Sequence, residues 1–195
     1  MTAGWRLVTP ATLRVITADE AREHCRVSSL VEDAQFDAWI TAATQWVERY
    51  TGRGLLTQSY RLALPSWVTS VSLPYAAPLQ SITEVEYYDA DNAQQTWTSS
   101  NYRTNLYQEP GRFEIDQDAT RPSTYWRDDA VQIEYVVGWT SAELVPAPMV
   151  QAVKMLVADW YANRENSLVG ITSRDAQFSV EALCAPYRVW WAPPC

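Results

Sequence analysis

Apolar positions change their spacing twice along this chain, and the changes divide it into parts. Phe36, Trp39, Ile40, Ala43, Val47 and Tyr50 recur every three or four residues, which predicts a helix from about Asp33 to Tyr50 with one buried stripe. Asp33 and Asp37 lie at its start, after Glu32, and Arg49 lies in its last turn, as the helix dipole favours. Gly52 then supplies a stop, with Gly54 soon after. Upstream, Thr17 followed three residues on by Glu20 fits a capping box and predicts a short helix from Ala18 to about Cys25.

From about Leu56 to Gly138 the period becomes two. Tyr60, Leu62 and Leu64 alternate with polar or small residues, as do Val85 and Tyr87, and then Val131, Ile133, Tyr135 and Val137. Shorter candidate strands are 68–73, 95–98, 102–107 and 112–115, punctuated by Pro65, Pro74, Pro78, the 89–92 turn, Pro110-Gly111 and Pro122. Such strands predict an antiparallel sheet pair or small sandwich. Pro146 and Pro148 open a further helix whose stripe is Met149, Ala152, Val153, Leu156, Val157 and Trp160. Residues 167–195 show no convincing period and end in a Pro- and Trp-rich segment, read as extended.

The expected fold is therefore α+β. A helical part (1–55) and a C-terminal helix (141–166) pack together, a β-rich insert (56–140) lies between them in sequence, and an extended docking tail (167–195) follows.

Composition narrows the function. With 15 basic and 23 acidic residues the net charge is −8, a poor basis for wrapping nucleic acid or binding anionic membranes. No run approaches the length of a membrane span, and residues 1–17 lack an apolar signal core. Cys25, Cys184 and Cys195 form an odd set without a CxxC, so a reduced, intracellular setting is expected. Lys154 and His24 are the sole lysine and histidine, which removes most general-base chemistry. Ten Trp and eleven Tyr exceed what one core of this size requires and suit interfaces.

Gly52-Arg53-Gly54 is a helix stop and not a phosphate cradle. Asp89, Asp91 and Asn92 read as a hairpin turn, because an EF-hand would need a ligand at Ala93 and Glu at Ser100. His24 beside Cys25 lacks further ligands for a metal. Glu84, Glu86, Glu134 and Asp116 are carboxylates of solvated strand faces, although two of them flanking Trp residues would also describe a glycosidase. Trp67, Trp97, Trp126 and Trp139 keep a second reading open, a carbohydrate-binding or glycosidase-like module of a phage tail or baseplate. Neither a catalytic residue nor a cofactor or metal is expected.

The order of segments is more informative than any one of them. Val47-Glu-Arg-Tyr-Thr-Gly-Arg53 is followed by Leu56-Thr-Gln-Ser-Tyr-Arg-Leu-Ala-Leu64 and Leu73-Pro-Tyr-Ala-Ala-Pro-Leu79. Then come Ser81-Ile-Thr-Glu-Val-Glu-Tyr-Tyr-Asp89, Val131-Gln-Ile-Glu-Tyr-Val-Val-Gly-Trp139 and a helix ending Asp159-Trp-Tyr-Ala-Asn-Arg-Glu165. This series, over residues 17–166 and the tail, resembles the head–tail connector (adaptor) proteins of long-tailed bacteriophages and phage-like gene transfer agents. The resemblance implies a non-enzymatic virion protein, assembled in the bacterial cytoplasm. It would form a ring, usually twelve-fold, beneath the portal, extend the DNA channel and carry the next neck or tail protein. It also implies a C-terminal segment docked in the portal, with Tyr187, Arg188, Trp190 and Trp191 as anchors. Arg53 and Arg164, each after a helix end, are candidates either for pairing with an acidic neighbour across the ring interface or for satisfying their own helix dipoles. DNA would pass without specific binding, repelled by an acidic bore.

Overall fold

A computed structural model describes residues 3–28, 33–164 and 174–190, with only the backbone described for residues 174–178. The chain folds as two units. One comprises residues 13–51 and 139–188; the other comprises the chain up to Thr12, residues 52–138 and the chain from Val189.

The helical unit forms where local signals place it. Helix α1 spans Ala18–Cys25. Its capping box is closed at both ends: Glu20 N–H donates to Thr17 Oγ1 (3.2 Å), and Thr17 N–H donates to the Glu20 carboxylate (2.8 Å). Arg26, in the left-handed conformation at φ 58°, ends it. Helix α2 spans Asp33–Thr51 and buries Phe36, Ile40, Ala43 and Val47. Arg22, buried on α1, pairs with Asp19 and with Asp33 in the first turn of α2, so one guanidinium ties the two helices. Helix α3 spans Ala147–Ala162 and buries Met149, Ala152, Val153, Leu156 and Val157. It packs on α1 and α2, and Phe36 stacks on Tyr161 at 5.5 Å.

A fourth helix, α4 at Arg174–Cys184, lies in the stretch expected to be extended. Ala176, Phe178, Val180 and Ala182 alternate like a strand, which hides the helical spacing of Val180 and Cys184, both buried. Packing on α3 decides the conformation where the local pattern is mixed. Extended backbone begins only at Arg188, after a 3-10 turn at Ala185–Tyr187.

Among the described residues the β unit contains eight strands, all paired antiparallel. They are β1 (Gly4–Thr9), β2 (Gln58–Leu64), β3 (Ser70–Ser72), β4 (Leu79–Tyr88), β5 (Gln94–Thr96), β6 (Tyr102–Asn105), β7 (Arg112–Ile115) and β8 (Val131–Val137). One sheet runs β1-β2-β8-β4-β5 and the other β3-β7-β6. They share one core, with Leu62, Ile133, Tyr135 and Val85 from the larger sheet and Val71 and Phe113 from the smaller. The expected strands are all present, and β1 is an addition. It lies within the N-terminal part read as helical, and it forms because β2, distant in sequence, supplies its partner (Arg6 opposite Arg61).

Gly138 ends β8 at φ 92°, and a Cβ there would lie 2.2 Å from the Leu56 carbonyl oxygen. Gly138→Ala is expected to lower unfolding free energy by at least ~2 kcal/mol in urea titration. Gly4→Ala, with open space around its Cα, should change it by less than ~0.5 kcal/mol.

Candidate interaction surfaces

In β2, β4 and β8 alternation points one set of side chains into the core and the other outward. On the outer face Glu84 stands opposite Glu134, a like-charge pair that costs free energy unless neutralised. Arg61, from β2, supplies the counter-charge. Its guanidinium reaches Glu134 at 2.6 Å, Glu86 at 3.0 Å and the Gln132 side-chain oxygen at 3.0 Å. The hydrogen bond to Glu134, ahead of the neighbouring negative charges, raises the Arg61 pKa. Glu84 accepts from Thr96 Oγ1, and Asp116 pairs with Arg103 at 3.1 Å. These carboxylates accept ion pairs and hydrogen bonds from neighbouring strands of their own sheets. The carboxyl groups whose pKa shifts, Asp89, Asp129 and Glu143, all shift down.

Two of the four candidate Trp residues are packed into or against the core of the β unit. Trp97 is buried, with Trp67 against it at 4.4 Å between ring centroids. Trp67 donates its indole N–H to the Pro122 carbonyl. Both rings therefore serve the core, which removes them from any sugar-stacking face. Trp139 is half-buried, and Trp126 is 81% exposed.

At the 89–92 turn, Asp89 accepts from the backbone N–H groups of Asp91 and Ala93 and from the Gln95 side chain, each at 3.0 Å. It is a hairpin turn, as its sequence implies. Among the described residues no cluster of three His, Cys, Asp or Glu is placed to hold a metal, and no helix is long and apolar enough to cross a membrane. Burial raises the Cys184 thiol to about 11, so it stays protonated near neutrality.

Arg53 lies inside the β unit. It is 8% exposed and pairs with Glu109 at 2.5 Å. Its burial and this pairing give it a structural task within its own chain. Arg164, in contrast, is exposed and lies over the rings of Tyr161 (4.8 Å) and Trp39 (5.4 Å). Arg188 lies over Tyr50 at 4.8 Å. Gly52 takes φ 69°, and a Cβ there would meet the Val189 carbonyl oxygen at 2.5 Å, so only glycine leaves room for the tail to pass. Tyr187 is half-buried, and Trp190 is 74% exposed. Trp191 lies outside the described residues.

Two exposed aromatic patches were not singled out together from sequence. Leu106 and the fully exposed Tyr107 form the turn between β6 and β7. Gly111, at the end of that turn, lies against Leu79, where β4 begins. Tyr125 and Trp126 lie in the loop before β8, and Tyr125 N–H donates to the Tyr88 carbonyl, where β4 ends. The two patches thus flank opposite ends of one ten-residue strand. Large aromatics inside turn-rich polar segments were the available signal.

Arg61→Ala is expected to cost ~1–3 kcal/mol in urea unfolding, because it leaves Glu84, Glu86 and Glu134 without their counter-charge. Adding Glu134→Gln should recover part of that loss. For Asp89, the backbone hydrogen bond from Ala93 is the first cause of its lowered pKa. The turn's stabilisation is then complete above the unfolded pKa and is lost as pH falls through the lower folded value. The protection factor of the Ala93 amide, relative to its intrinsic exchange rate, should therefore fall below pH ~4, and Asp89→Asn should flatten that dependence.

The family model for head completion proteins matches residues 14–180. Among solved structures, the chain is similar to a component of the neck of an empty gene transfer agent (GTA) particle, computed with C6 symmetry. The TM-score is 0.76 at 24% identity, covering 98% of this chain and 97% of that one. A chain of the native GTA virion gives 0.75 at 23% identity, with 96% of each chain covered. A chain of the native GTA neck computed with C12 symmetry gives 0.72 at 22% identity, covering 96% and 97%. No curated protein sequence matches the chain.

Proposed function

This chain belongs to the head completion protein family, and from that premise we propose that it is a ring subunit in the neck of a phage or phage-like particle. It sits beneath the portal, extends the DNA channel and carries the next neck or tail protein. The observation that carries this reading is fold likeness over nearly the full length of both chains to components of GTA necks. The role is structural, and no reaction is assigned to it.

The surfaces support the reading. A ring subunit makes head-to-tail contacts and needs two different patches. The Leu106–Tyr107 and Tyr125–Trp126 patches differ in composition and lie at opposite ends of β4. Arg164, exposed and set over the Tyr161 and Trp39 rings, belongs to the surface that would meet the adjacent copy. Arg53, engaged with Glu109, serves that contact only by holding the β6–β7 turn in place.

The tail from Tyr187, with Arg188, Trp190 and Trp191, docks into the portal. A Trp left three-quarters in water on a folded chain is an apolar surface awaiting cover. The net charge of −8 per copy suits a bore that repels phosphate, so DNA slides without specific binding. Assembly in the bacterial cytoplasm follows from the same reading.

Co-sedimentation with purified portal rings tests the docking. Trp190→Ala should weaken binding at least ~10-fold, about 1.4 kcal/mol, with an unchanged circular dichroism spectrum. Full affinity in Trp190→Ala and in a chain ending at Tyr187 would remove the tail from the interface. A reconstruction of the particle neck lacking this chain would remove the function itself.

A further inference from the structure

The five-stranded sheet ends in two open edges of different chemistry. At one edge, all six residues of β1 are exposed. Trp5 (43%) and Leu7 (45%) lie opposite Leu62 and Tyr60, so they extend the core-facing side of the sheet beyond its last covered strand. Arg6 lies on the other side, opposite Arg61, whose charge is taken by Glu86 and Glu134. The strand has neither proline nor lysine within it and no inward-pointing charge, the usual devices that stop an edge from pairing. Its single charge is positive.

At the other edge, β5 presents Gln94, Gln95 and Thr96, all exposed. The β4–β5 hairpin, residues 79–96, carries Glu84, Glu86, Asp89 and Asp91 and no basic residue. Gln94 and Thr96 lie opposite Tyr88 and Glu86, on the same face of the sheet as Arg6. The sheet has four successive antiparallel steps from β1 to β5, so its two edge strands run in the same direction.

We infer that β1 of one copy adds to β5 of the next, making the sheet continuous from copy to copy around the ring. This rests on the ring-subunit reading and names the surface through which copies join. A second copy is the occupant for two reasons. One molecule carries both halves of the junction in the orientation that a head-to-tail repeat requires. The charges are also complementary: a basic edge strand meets an acidic hairpin, with Arg6 brought to the side where Glu84 lies. Backbone N–H and C=O groups on the outer side of each edge supply the hydrogen bonds. Trp5 and Leu7 gain cover from the neighbour's core-facing side.

Paired strands lie about 4.8 Å apart, so cysteines on the same face of the two edges would come within reach of a disulfide. Particles carrying Arg6→Cys with Gln94→Cys, or Arg6→Cys with Thr96→Cys, are oxidised and run on non-reducing gels. At least one pair should give a ladder of covalent multimers of this chain, absent from wild type and from each single variant. Necks that contain either double variant at wild-type amounts but yield no ladder would overturn the edge junction and leave the ring reading standing. So would cross-linking of Arg6→Cys to a different protein alone. Necks without the chain would overturn both. Hydrogen exchange on unmodified protein is independent of these variants. Amides 5–8 should exchange at least ~10-fold more slowly in particles than in the isolated chain, and equal rates would overturn the junction.

Discussion

Strand β8 is hydrogen-bonded along both sides, to β2 through seven opposed pairs and to β4 through seven more. The rest of the β unit is placed relative to it. Its inward residues Val131, Ile133, Tyr135 and Val137 are all buried, and each removes apolar surface from water. A one-residue slip would exchange this face with the outer one that carries Glu134. Tyr135 locks the register further, because its hydroxyl donates to the Pro74 carbonyl at 3.0 Å in a site where burial holds the phenol well above its ordinary pKa. Gly138 then lets the chain turn where no side chain fits against Leu56.

Once β8 is fixed, the outer face of the sheet is fixed too, and its chemistry is that of neutralisation. Glu84, Glu86 and Glu134 would repel one another, and Arg61 is positioned by β2 to meet two of them. The same register stands Arg6 opposite Arg61. Carboxylates placed in this way orient the Arg61 guanidinium across three strands.

The helical unit is organised by simpler means. A capping box starts α1, Arg22 joins α1 to α2, and apolar stripes meet in a shared interior. The exposed aromatics lie elsewhere, at the turns flanking β4, on β1 and at Trp190. Their separation from both interiors gives a head completion protein several distinct exposed faces.

Periodicity, caps and turn residues are local, so the sequence by itself determined the type and place of α1, α2, α3 and the seven strands from β2 to β8. It also marked the 89–92 hairpin. The order of segments around Thr51-Gly52-Arg53 and Asp159–Arg164 carried the family likeness. Other features depend on partners distant in the chain, and only the tertiary structure decided them. Strand β1 exists because β2 offers an edge, and α4 is helical because α3 offers a surface. Trp67 and Trp97 are interior while Trp126 faces water, although all three occupy similar aromatic, turn-rich sequence. Arg53 is buried against Glu109, fifty-six residues away, while Arg164 stays exposed. Exposure is set by what folds back over a residue, and local sequence does not encode that.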